Sequence, residues 1–160
     1  MDVKQVPKWL EIALLELGVK EIKGQSHNPR ILEYHDTTTL HATSDEVPWC
    51  SSFVNWCITK AGLIGTNSAA ARSWEKYGER LKSPVLGCIV VMSRGDDPRS
   101  GHVGFYIESV NHGKHINVLG GNQSDTVKLE TFPVSRVIAY IWPWPEKEQF
   151  KKKTFGSKLK

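Results

Sequence analysis

The stretch EVPWCSSFVNWC, residues 46–57, sets two cysteines seven positions apart at what reads as the start of a helix. Four readings of Cys50 and Cys57 are open: a redox pair, metal ligands, two buried hydrophobes, or one reactive thiol and one bystander. The spacing bears on all four. A helix from about Pro48 to Ala61, stopped at Gly62, puts both cysteines on one side and roughly 10 Å apart by the rise per residue, too far for a disulfide. It also makes them unequal. Cys50 falls in the first turn, where unpaired backbone N–H groups and the helix dipole favour a thiolate. Cys57 sits mid-helix among Phe53, Val54, Trp56 and Ile58, the setting of a small core hydrophobe.

On either side of this helix the chain changes character. Before it, VPKWLEIALLELG places Val6, Trp9, Leu10, Ala13, Leu14 and Leu17 at helical spacing and ends at Gly18. In SHNPRILEYHDTT, Asn28 is suited to cap a short helix with Pro29 as its first residue. Residues 36–47 read as a loop. After it, SAAARSWEKYG reads as one more short helix closed by Gly78. The second half turns to strand period: GCIVVMS, GHVGFYIESV, HINVLGG and RVIAYIWP, with TVKLETF a weaker fifth run, separated by RGDDPRSG and NHGK. Helices first and short-linked strands after them predict an α+β fold, with N-terminal helices packed on a roughly five-stranded antiparallel sheet.

The strand GHVGFYI sets Val103, Phe105 and Ile107 on one face and His102, Gly104 and Tyr106 on the other. HINVLGGNQSD ends in two glycines and Asn122, and in a meander that end lies beside the start of the preceding strand, near His102. An amide there can fix one imidazole nitrogen and leave the other to face a thiol.

Length and composition bound the rest. The chain has 160 residues, enough for one domain with a real core, and 39% of them are hydrophobic. No apolar run is long enough for a transmembrane helix, and MDVKQVPKWLEIALLELG lacks the parts of a Sec signal peptide. Three cysteines do not make a paired disulfide framework, and without CxxC or HxxxH a zinc site is not expected. The net charge of +4 resides wholly in residues 146–160, with six lysines and two glutamates, since residues 1–145 carry 15 basic and 15 acidic side chains. The expected organisation is a domain over 1–145 with a basic, flexible tail. That tail either solubilises the chain or draws it to an anionic polymer; nothing resembles a base-reading motif.

Taken in order, DEVPWCSSFVNWC, SAAARSWEKYG, GHVGFY, VLGGNQSDTV and RVIAYIWP resemble the NlpC/P60 and CHAP superfamily of papain-like cell-wall peptidases and amidases, over residues 5 to about 145. The resemblance implies Cys50 as nucleophile, His102 as general base and acid, and Asn122 as the orienting residue, with no metal or cofactor. Many CHAP members carry Glu two positions before that asparagine; here the place is Gly120, which leaves the amide as sole orienter unless Gln123 or Asp125 helps. Cys88, in LGCIVV, stands where an acidic residue is usual next to the glycine and reads as strand packing. Trp49 and Trp74 are candidate platforms for sugar or peptide, and Asp45 a candidate contact for stem-peptide amino groups.

The implied substrate is bacterial peptidoglycan, cut at an amide of the stem peptide or cross-bridge. A muramoyl-L-alanine amidase and a non-catalytic peptidoglycan-binding module are the alternatives. Without a Sec signal, such a protein would be made in the cytoplasm and act in the periplasm or wall, and nothing demands more than a monomer. Phage lysis would deliver it through a holin, and dedicated secretion would pair it with a cognate immunity protein.

Overall fold

The computed structural model describes residues 6–24, 27–40, 42–44 and 48–143. The expected contact Asp45 and the basic tail 146–160 lie outside these. Three α-helices come first: α1 (Lys8–Leu14), α2 (Pro29–His35) and α3 (Cys50–Lys60), followed by a 3₁₀ helix over Ala71–Lys76. Six strands follow: β1 (Glu79–Leu81), β2 (Ile89–Ser93), β3 (Gly101–Val110), β4 (His115–Gln123), β5 (Thr126–Pro133) and β6 (Val137–Trp142). The α+β expectation holds, with six antiparallel strands rather than five. The unforeseen strand is β1, three residues pairing with β6, too short to show a period of its own.

The sheet order is β1-β6-β2-β3-β4-β5. Strands β2 to β5 form a meander, and β6 returns to pair on the far side of β2. The backbone of residues 18–21 covers the β5 edge through bonds such as Val127 N–H to the Val19 carbonyl at 2.8 Å, which removes an open edge.

Local chemistry explains the helix boundaries. Asn28 Oδ1 accepts from the Arg30 N–H at 2.9 Å, with Pro29 in the first turn. Gly62 takes φ 91° just past α3, a left-handed step that glycine makes at little cost. Helix α3 is the fold's centre, since Cys50 through Ile58 are all buried. Its apolar side chains join Trp9, Leu10, Ile31 and Tyr34 from the other helices and Val103, Phe105 and Leu119 from the sheet. Its buried polar groups are bonded inward. Asn55 Nδ2 donates to the Ser68 carbonyl at 3.1 Å, and Ser51 Oγ donates to the same carbonyl at 2.7 Å. A helix held on every side cannot slide or rotate freely, and this fixes Cys50 in place.

The opposite sheet face carries a second apolar cluster containing Cys88, Val90, Met92, Tyr106, Val118 and Phe132. Val103 and Phe105 against the helices, and Tyr106 in this second cluster, follow the alternation expected for β3.

Candidate active site

Cys50 is the first residue of α3, and its N-cap, Trp49, provides no side-chain hydrogen bond to the helix. The amides of the first turn therefore keep their positive end toward the thiol. Close approach of helix and sheet brings the thiol to β3. A Cβ on Gly121 of β4 would stand 2.7 Å from Trp49 Cζ3 and 2.8 Å from Phe53 Cβ, so only glycine lets the start of α3 seat this deeply.

His102 lies near the start of β3, 2% exposed, with its ring against Phe132 at 5.5 Å between centroids. Its Nε2 is 2.9 Å from Gln123 Oε1. The Gln123 amide has only one consistent orientation here: its Nε2 donates to the carbonyls of Lys128 at 2.7 Å and Val118 at 3.2 Å. With both amide hydrogens used, Oε1 must face the ring, so His102 Nε2–H donates and Nδ1 is the basic nitrogen. Nδ1 is thereby left as the nitrogen available to the Cys50 thiol; it is buried and makes no hydrogen bond here, while Cys50 and His102 each shift the other's titration. Apo sites of this kind often tighten only around substrate.

The electrostatics follow from this chain of groups. Burial pushes the Cys50 thiol up, while its interactions with His102, the Val103 backbone and the Arg94 charge bring it below the ordinary value. Burial pushes His102 down, while Cys50 and Gln123 carry it above the usual imidazole value. Each shift favours a thiolate–imidazolium pair. The other two thiols go the opposite way: burial raises Cys57 well above its ordinary value and Cys88 to about 12. Iodoacetamide is therefore expected to alkylate Cys50 alone in the folded protein, and faster below pH 7 than a free thiol reacts. Peptide mapping after a pH series reads this, and labelling of Cys57 or Cys88 at a comparable rate would contradict it.

The sequence-predicted residues are not all brought together. Cys50 and His102 meet. Asn122 lines the cavity beside His102, but the amide on the imidazole belongs to Gln123. The reason is a one-residue bulge. Between the pairs Gly120↔Lys128 and Gln123↔Thr126, β4 spends three steps against two on β5, and Asn122 takes φ 59°. The inserted residue reverses the alternation, turning residue 123 to the face that regular pairing would give to 122. Gly120 leaves the space that the Gln123 amide fills, since a Cβ there would collide with Oε1. Trp49 and Trp74 correct a second expectation. Both are wholly buried, with Nε1 donating to Glu21 Oε2 at 2.8 Å and Ser51 Oγ at 2.9 Å respectively. They brace α3 and offer no face to a sugar or peptide.

Arg94, Glu130 and Arg136, which also line the cavity beside His102, carried no sequence signal, since three charged residues on separate elements form no local pattern. Among the described residues no group of three His, Cys, Asp or Glu side chains gathers to hold a metal ion, and no helix is long and apolar enough to cross a membrane.

Helices laid on an antiparallel sheet, with a helix-start cysteine beside a strand histidine, define a papain-like fold. The CHAP domain family profile matches residues 42–122. The chain belongs to the CHAP domain family. Among solved structures, an NlpC/P60 family protein from Bacillus cereus ATCC 10987 is similar in fold. It has a TM-score of 0.51 and 12% identity, over 90% of this chain and 42% of that one. The chain thus spans less than half the length of that protein. No curated protein matches the sequence.

Proposed function

We propose that the protein hydrolyses an amide bond in the stem peptide or cross-bridge of peptidoglycan, by covalent catalysis from Cys50. The observation that carries this reading is the Gln123 amide on His102 Nε2, which leaves Nδ1 as the basic nitrogen, beside a helix-start cysteine whose titration is coupled to the same histidine. The Cys50 thiolate attacks the carbonyl carbon, and the oxyanion is met by the Cys50 backbone N–H at the helix start. His102 gives its proton to the leaving nitrogen as the C–N bond breaks. It then takes a proton from water, whose oxygen attacks the thioester and returns the thiolate. Gln123 fills the orienting role that the resemblance gave to Asn122. The place of action would be the periplasm or the wall, where the substrate is.

The test is incubation with purified sacculi of several wall chemotypes, followed by mass spectrometry of what is released. Peptide fragments with new amino termini inside the stem or cross-bridge are the expected product, and prior alkylation of Cys50 should stop their release. New termini only at L-alanine, with the sugar freed intact, would make the enzyme an amidase instead. Sacculi bound but unchanged would make the domain a binding module.

A further inference from the structure

A cavity of about 410 Å³ opens beside His102, and Arg94, Glu130, Phe132 and Arg136 line it. No residue of α3 lines it, so it lies on the strand side of the imidazole, away from the helix that carries the thiol. Its charges are not spent on one another. Arg136 is held rigid: Nε and Nη2 donate to the Ser93 carbonyl at 3.0 and 2.9 Å, and its guanidinium lies 5.1 Å from the Phe132 ring centroid. This leaves Nη1 without a partner among the described residues. Arg94, just past β2, is exposed and makes no hydrogen bond or ion pair with a described residue, so its longer reach is free. Glu130 is half-buried, lines the cavity and pairs with neither arginine.

Two guanidiniums and one carboxylate in a single cavity, none of them in an ion pair with a described residue, complement a group bearing a carboxylate and an N–H together. Guanidinium is also the side chain whose planar fork suits carboxylate. We propose that this cavity receives the residue on the leaving-amine side of the scissile bond, its free carboxylate held by Arg136 and Arg94 and its N–H by Glu130. The assignment of side rests on the hydrolase reading. In that reading the acyl part stays bonded to the Cys50 sulfur, and a cavity that no residue of α3 lines is left to the departing part.

A stem peptide has two carboxylates that fit, the C-terminal one and the α-carboxylate of its γ-linked D-glutamate. Three synthetic peptides separate them: L-Ala–γ-D-Glu–L-Lys–D-Ala with both carboxylates free, with the C-terminus amidated, and with the glutamate α-carboxylate amidated. Their affinities for the Cys50→Ala protein, which leaves them intact, are measured by calorimetry. One of the two amides is expected to weaken binding about 10- to 100-fold, as loss of a charge-assisted pair would. That difference should fall below about threefold when Arg94→Gln is added, and again with Arg136→Gln. Which amide matters identifies the leaving-side residue.

Equal affinity for all three peptides, or a carboxylate preference that survives both arginine substitutions, overturns the proposal, as does no binding at all. The hydrolase reading is judged separately by cleavage. Wild-type cleavage with no carboxylate preference removes the pocket and keeps the hydrolase. An arginine-dependent preference without wild-type cleavage of any peptide or sacculus keeps the pocket and removes the hydrolase.

Discussion

Replacing Cys50 with alanine should lower peptidoglycan hydrolysis by at least ~10³-fold, since no other group in the site can form the acyl intermediate. Cys57 and Cys88 are buried and held far above the neutral range as thiols, so neither can substitute. The fold should survive. The side chain sits at the edge of the core, 6% exposed, and the helix it begins is fixed by Ser51, Asn55 and the aromatic side chains around Phe53. The same variant makes a second, independent prediction. The interactions with Cys50 are the largest of those that raise His102, and burial opposes them. Without the sulfur, burial has less to overcome, and the imidazole should titrate at lower pH than in wild type. Its ring proton shifts, followed by NMR over a pH series, read this directly. An unchanged His102 titration would mean that the two groups are not coupled, and residual hydrolysis within tenfold of wild type would remove Cys50 from the mechanism.

The helix start and the strand alternation were legible because both are local. Asn28 and Pro29 mark one helix start, Gly62 one stop, and GHVGFYI carries its two faces in plain alternation. From those, the meeting of Cys50 and His102 follows once helices and strands are stacked. What was not legible depends on register and burial. Counting by twos along HINVLGGNQ puts Asn122 beside His102, and only the left-handed step at Asn122 itself gives the place to Gln123. That step depends on how β4 and β5 close, with Ser124 and Asp125 both at positive φ in the turn between them. Trp49 and Trp74 misled for a related reason. A tryptophan next to a reactive cysteine suits a substrate platform and a core brace equally by residue type. Here the inward bonds to Glu21 and Ser51 decide for the brace. β1 escaped notice because Glu79, Arg80 and Leu81 form a strand only by lying along β6.

Gln123 separates a positioning role from a structural one by two substitutions that reach it differently. Gln123→Ala takes the acceptor from His102 Nε2 and the donors from the carbonyls of Val118 and Lys128. Unpaired buried groups of this kind cost about 1–3 kcal/mol each, so the variant should lose stability as well as activity, the latter by ~10²-fold as the imidazole loses its fixed tautomer. Gly120→Ala reaches the same bond without deleting it. The new Cβ falls on Gln123 Oε1, the far end of a flexible side chain, and on no backbone atom nearer than the Val103 carbonyl at 3.5 Å. Moving the amide also loosens its bonds to the Val118 and Lys128 carbonyls, so the variant should lose some stability, while hydrolysis falls toward the Gln123→Ala level. The pH profile then identifies the cause. Gln123 is among the groups that raise His102, and displacing it lowers the pH at which the imidazolium loses its proton. The alkaline limb of the rate profile should therefore move to lower pH in both variants. A Gly120→Ala protein with wild-type rate and an unmoved alkaline limb would reduce Gln123 to a brace between two strands and leave His102 oriented by other means.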